Sequence, residues 1–199
     1  MKFRDKKVIG IVIALAVIAL GAVFLLNSNK VIYGNNENEI KEAIYKTELI
    51  KSEELIDIID VVDIGNSRFA GFCSNFGSTG IIEFEKNSRG KFEYKKAEVH
   101  GGQIGTYLAF VEDEVKENKE LSKEKLKETK ANEEKKNLYI IVSDAVEGYD
   151  IKLKVNEEYN FEEVIPVGER KMIVFQMPSG EKEYVFDLEV VDSRGNKVF

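Results

Sequence analysis

From Val8 to Leu26 the chain is apolar without interruption, VIGIVIALAVIALGAVFLL, a run of 19 residues with no charged side chain. As a helix it would be about 28 Å long at ~1.5 Å per residue, close to the ~30 Å hydrocarbon core of a bilayer. A helix also satisfies its own backbone hydrogen bonds, which lipid cannot do for it. The pattern predicts a transmembrane helix. Lys2, Arg4, Lys6 and Lys7 precede it, opposed only by Asp5, and the next basic residue is Lys30. The positive-inside bias then puts residues 1–7 in the cytoplasm and residues 27–199 outside. A cleaved signal peptide is the competing reading. Ala19 and Gly21 could precede its cut, but the cut would leave AVFLL as an apolar stub, so an uncleaved anchor is favoured.

After a polar link, residues 27–36, the period changes. Ile40, Ala43, Ile44 and Thr47 recur at three and four residues, predicting an amphipathic helix over ENEIKEAIYKTEL. Asn36 or Asn38 can cap it, with Glu37 and Glu39 in the first turn. LIDIIDVVDI is rich in β-branched residues and predicts a strand over roughly 56–64. Gly65-Asn66-Ser67 reads as a turn, RFAGFCSN as a second strand and NFGSTG as a loop. Ile82 and Phe84 alternate on one face of a third strand. Asn87-Ser88-Arg89-Gly90 is a hairpin turn. In the next strand Phe92 and Tyr94 point one way and Lys91, Glu93 and Lys95 the other. HGGQIG breaks the alternation, and TYLAFVE resumes it.

The stretch 112–136, EDEVKENKELSKEKLKETKANEEKK, holds nine acidic and eight basic residues, with Val115, Leu121 and Leu126 as its large apolar ones. That is too little for a buried stripe, and the reading is a charged linker or insertion. Beyond it, LYIIVSD is a mostly apolar strand. YDIKLKVN places Ile151, Leu153 and Val155 inward, with Lys152 and Lys154 outward. NFEEVIPV, RKMIVFQM, KEYVFDLEVVD and KVF follow, separated by turn residues, and this spacing predicts a small β-sandwich.

The expected fold class is therefore α+β: an N-terminal transmembrane helix, one helix with an antiparallel β-meander, then a small all-β sandwich-like module. The expected division is 1–7 tail, 8–26 anchor, 27–36 link, 37–112 α+β module, 113–136 charged linker or insertion and 137–199 sandwich-like module.

Charge and chemistry narrow this picture. The net charge is −7, and it becomes more negative without the basic tail, which disfavours nucleic acid as a partner. Cys73 is the single cysteine, so no internal disulfide forms. Its apolar neighbours suggest a buried, inert thiol. His100 is the single histidine, and HGG reads as a turn before it reads as an active site. Asp57, Asp60 and Asp63 lack calcium-loop spacing. Ser74, Ser78, Ser143 and Ser179 sit in no nucleophile elbow. GGQIG leads into a strand and lacks a phosphate-binding lysine. Phe92, Tyr94, Phe175 and Phe186 lie at strand spacing, where core packing is expected. No residue is assigned as catalytic, cofactor-binding or metal-ligating, and no cofactor is expected.

The basic tail, the span, the helix, the meander ending in GGQIGTYLAF and the later LYIIVSD, GERKMIVFQMP and YVFDLEVVDSRGNKVF segments resemble small single-pass, membrane-anchored extracytoplasmic proteins of Gram-positive bacteria. The last part is also similar to immunoglobulin-like modules, in which a strand commonly ends in D-x-x-G-N. The resemblance implies location and architecture and carries no site residues. The functional expectation is a non-enzymatic protein, held to the cell membrane by one span, that binds another envelope protein or senses surface conditions. The alternative is a carboxylate-dependent hydrolase acting on a cell-wall polymer.

Overall fold

The computed structural model describes residues 31–112, 135–144, 148–157, 159–178 and 183–198. The apolar run Val8–Leu26 and the charged stretch 113–134 lie outside them. Among the described residues no helix is long and apolar enough to cross a membrane.

The amphipathic period is realised as α1 (Glu37–Lys46). The side chain of Asn36 accepts from the Glu39 amide at 3.0 Å, filling the N-cap role. Ile40, Ala43 and Ile44 are buried, as their spacing requires. The helix stops sooner than its apolar pattern suggests. The Thr47 hydroxyl donates to the Ile44 carbonyl and Glu48 takes a positive φ of 59°, which turns the chain away.

Four antiparallel strands follow in chain order: β1 (Ile56–Ile64), β2 (Ser67–Ser74), β3 (Ser78–Lys86) and β4 (Phe92–Gly101), forming the first sheet. The strand expected at 56–64 and the turn at 87–90 stand where the pattern put them; the turn expected over 65–67 ends at Asn66, because Ser67 opens β2, and the loop expected over 75–80 ends at Gly77, because β3 opens at Ser78. The meander ends at β4. The next strand, β5 (Ile104–Glu112), pairs with β6 (Lys135–Asp144), which pairs with β9 (Arg170–Gln176). A third sheet contains β7 (Tyr149–Val155), β8 (Tyr159–Ile165) and β10 (Phe186–Asp192) in the order β10-β7-β8.

This corrects the α+β expectation. The described chain is mostly β, with one ten-residue helix and three antiparallel sheets, and β5 is not a fifth meander strand. The reason lies in the side chains of β5. Tyr107, Ala109 and Val111 form one apolar face, and they are buried with Phe69 of β2 and Ile81 of β3. That face can be covered only if β5 lies across the first sheet, not beside it. Gly102 allows the change of direction: its φ of +123° is one that side chains avoid. Its amide donates to the Gly77 carbonyl at 2.9 Å.

β6 explains the layering. Leu138 through Asp144 are all buried, which fits an apolar run without alternation. Leu138, Ile140 and Val142 pack toward the first sheet, whereas Tyr139 and Ile141 pack toward the third. The middle sheet is thus sandwiched on both faces. In the third sheet Ile151, Leu153 and Val155 are buried and Lys152 is exposed, as their alternation predicts.

Candidate functional site

The one ionisable side chain of β3 that points toward the middle sheet and is fully buried is Glu83, at 2 % exposure. Its surroundings follow from a fault in strand pairing. Ile82 faces Ala97 and Glu83 faces Lys96, but Phe84 faces Tyr94, so Lys95 is an extra residue on β4. Regular alternation would aim Lys95 and Lys96 to opposite faces. The bulge instead sends both toward Glu83, which is the way bulges re-aim side chains. Lys95 Nζ donates to Glu83 Oε1 at 2.9 Å, and the Ser67 hydroxyl donates to the same oxygen at 3.1 Å. Lys96 Nζ stands 4.0 Å from Oε2. It donates to Glu98 Oε1 at 3.3 Å and to the Leu108 carbonyl at 3.2 Å. Glu85 lies 3.7 Å from Lys95.

Ser67, Glu83, Glu85, Lys95 and Lys96 line a cleft of about 420 Å³ with Asn66 and Phe110. Phe110 is 59 % exposed, the side chain of an apolar strand left facing water. Burial works against the charge on Lys95, but its hydrogen bond to Glu83 and the charges of Glu83 and Glu85 outweigh it and hold the ammonium above its ordinary pKa. The cleft therefore holds fixed charges of both signs beside an apolar wall. Acid–base hydrolysis by two carboxylates needs one to give and one to take a proton. Here Glu83, Glu85 and Glu98 each stand within 4.0 Å of a lysine ammonium.

A second cluster joins the first and middle sheets at their other end. Arg170 Nη1 donates to Asp57 Oδ2 at 2.8 Å. Its Nε is 2.7 Å from Asp144 Oδ1, close enough for strong Coulombic attraction but out of line for a hydrogen bond. Cys73 is beside them and 1 % exposed. Burial, together with the charge of Asp144, pushes its thiol from the ordinary 9.0 up to about 11, and Arg170 only partly opposes this. The thiol is buried, as its sequence context suggested. We expect iodoacetamide at pH 8 to label Cys73 only in denaturant. The sign of the linkage also follows. The thiol's folded pKa exceeds its unfolded value, so its contribution to stability is intact below about pH 9 and is lost as pH rises toward about 11. Urea melts over that range should show a shallower alkaline loss for Cys73→Ala; identical slopes would reject the assignment.

The remaining candidates are held apart. His100 is exposed and meets Tyr107 edge-on at 5.1 Å between ring centroids, while the Tyr107 hydroxyl donates to the Thr79 carbonyl. Asp57 pairs with Arg170, Asp63 makes a two-point contact with Arg68, and Asp60 accepts from the neighbouring Val61 amide. Ser74 accepts from the Phe76 and Ser78 amides as part of a turn. Ser143 is buried, and Ser179 lies outside the described residues. Phe92 carries the Arg68 guanidinium 4.0 Å above its ring, Phe175 packs tilted against Phe161, and Phe186 stacks on Tyr139. Among the described residues no group of three or more His, Cys, Asp or Glu side chains could hold a metal ion.

Sequence reasoning passed over Glu83, Lys95 and Lys96. A signal was present in FEYKKAEV: apolar Phe92 and Tyr94 are even-numbered, apolar Ala97 and Val99 odd-numbered, and the phase slips at the lysine pair. Such a slip is how a bulge is written in a strand. No family model matches the chain, and no curated protein or solved structure matches it either.

Proposed function

We propose that the protein is a binding protein of the cell envelope, anchored by Val8–Leu26 with its C-terminal part outside, and that the Glu83 cleft is its contact surface. The observation that carries this reading is the cleft itself: a preformed recess with a buried carboxylate, two re-aimed lysines and an exposed phenylalanine. Recesses with a few convergent polar groups and an apolar wall are where proteins hold ligands. The pairing of all three carboxylates with lysines argues for holding over hydrolysis. The anchor and its orientation rest on the uncharged run and the basic residues before it.

A photo-crosslinking amino acid at Phe110 of the full chain in living cells tests the contact surface. The expected result is a discrete adduct at 110 that is missing when the probe sits at Lys152, on the outer face of the third sheet. Equal adducts at both positions, or none at 110, would overturn it. The orientation is tested with Ser122→Cys and a membrane-impermeant maleimide on wall-permeable cells. Labelling is expected, and it reports position 122 because Cys73 is buried. Absence of labelling would reverse the topology.

A further inference from the structure

We infer that the β3–β4 hairpin lies against the membrane surface, and that Lys86, Arg89 and Lys91 there hold the phosphates of anionic lipid headgroups. This rests on the reading of Val8–Leu26 as the anchor and adds a lipid contact to the part outside.

Three observations support it. First, the chain enters its β-rich part beside this hairpin. Tyr33 is bridged antiparallel to Glu93, and the Gly34 amide donates to the Phe92 carbonyl at 2.9 Å. Only residues 27–32 lie between the apolar run and Tyr33. The steps from Leu26 to Tyr33 reach at most about 25 Å when fully extended. So short a tether keeps the foot of β4 near the headgroups. The opposite end of β3, at Ser78, is about 27 Å away along the strand at ~3.4 Å per residue.

Second, the hairpin carries charge of one sign. Residues 86–91, KNSRGK, hold three basic residues and no acidic one, on a chain whose net charge is −7. Lys86, Arg89 and Lys91 are exposed, and among the described residues none has a carboxylate within 4.0 Å. The acids at this end have other partners. Glu93 accepts from Asn87 Nδ2 at 2.6 Å, and Glu85 stands 3.7 Å from Lys95. Asp63 pairs with Arg68, Glu37 with Lys41, and Glu39 accepts from Asn35.

Third, the turn presents these cations in a fixed arrangement. Asn87 Oδ1 accepts from the Arg89 and Lys91 amides at 2.9 and 3.0 Å, and the Asn87 amide donates to the Lys91 carbonyl at 2.8 Å. Gly90 supplies the positive φ, +75°, that closes the turn. Lys91 Nζ lies 5.2 Å from the centre of the half-buried Tyr33 ring, and tyrosine is a residue suited to the headgroup level.

A lipid surface fits these cations better than a soluble anion does. The tether holds the lipid at high effective concentration. A free polyanion must instead approach a chain that is acidic as a whole. Attraction to an anionic surface fades within a Debye length, about 8 Å at physiological ionic strength, so it acts where a short tether puts the hairpin.

The test uses the full-length protein in lipid nanodiscs, made either of phosphatidylcholine alone or of phosphatidylcholine with phosphatidylglycerol. A thiol-reactive fluorophore is placed at Ser88→Cys, on the turn, or at Phe76→Cys, at the other end of the sheet; Cys73 is buried. Quenching by a lipid with a nitroxide on its headgroup reads contact. At position 88 it is expected to be at least about 3-fold stronger with phosphatidylglycerol. High salt, or the triple change K86Q/R89Q/K91Q, should return it to the phosphatidylcholine level. Position 76 should be quenched little and show no dependence on lipid charge. Equal quenching of position 88 in both discs, or no loss in the triple variant, would overturn the headgroup assignment. Abolition of the quenching by micromolar polyphosphate would also overturn it, in favour of a soluble polyanion. A protein that stays in the disc with an unquenched turn rejects the lipid contact and leaves the anchor standing. A protein that separates from the disc rejects the anchor itself, and the contact with it.

Discussion

Gly80→Ala is expected to lower the unfolding free energy by about 3 kcal/mol, the upper part of the range for overpacking a core. Gly80 sits directly across from Phe72 in the β2–β3 ladder. A Cβ built on Gly80 falls 2.2 Å from Phe72 Cζ and 2.6 and 2.7 Å from its Cε atoms. The far end of the ring occupies the space above the glycine, and Phe72 is fully buried, which leaves the ring little room to move. Phe72→Ala alone empties the ring's site and is expected to cost about 3–5 kcal/mol. Together the two changes should cost clearly less than their sum, since the alanine methyl then enters space that the ring has left. A coupling of about 1–3 kcal/mol is expected from urea melts of the four proteins. Strict additivity would mean that the ring does not sit on the glycine.

The same pair shows what could and could not be read from the chain. That two strands flank a loop near Gly77 follows from composition, but NFGSTG reads as a loop as far as Gly80, whereas β3 begins at Ser78. That Gly80 serves as the floor for a ring does not follow, because it depends on register, and register is set by pairing across the sheet. β5 makes the point on a larger scale. TYLAFVE has the same alternation whether it extends a meander or lies across it, and only the need to cover Phe69 and Ile81 decides. The unalternating LYIIV of β6 reads as a mostly apolar strand, but no local pattern says that both its faces are covered or which sheets supply the cover. The candidate site was harder still. Glu83 reads as one acid among many until a one-residue bulge brings Lys95 and Lys96 to it. Charge and spacing ruled out metal loops and nucleophile elbows from sequence, yet they could not find a recess created by a phase slip.

Ile140→Ala and Ile141→Ala test whether β6 ties the two cores into one cooperative structure. Both side chains are fully buried, and they point in opposite directions: Ile140 packs with Phe69 and Met172 between the first and middle sheets, Ile141 with Ile151 and Ile173 between the middle and third. Each truncation is expected to cost about 2–5 kcal/mol in lost burial and residual cavity. The exposed Val164→Ala on β8 should stay within about 0.5 kcal/mol. The informative result is where the loss is felt. The middle sheet gives one face to each core, so neither core keeps its partner if β6 comes away. Ile140→Ala should therefore raise amide exchange by a similar factor in β2 and in β7, although Ile140 is not part of the β7 core. Ile141→Ala should do the same in the other direction. Acceleration confined to β2 for Ile140→Ala, with β7 unchanged, would show that the third sheet and β6 hold together without the first, and that the layers unfold in separate steps.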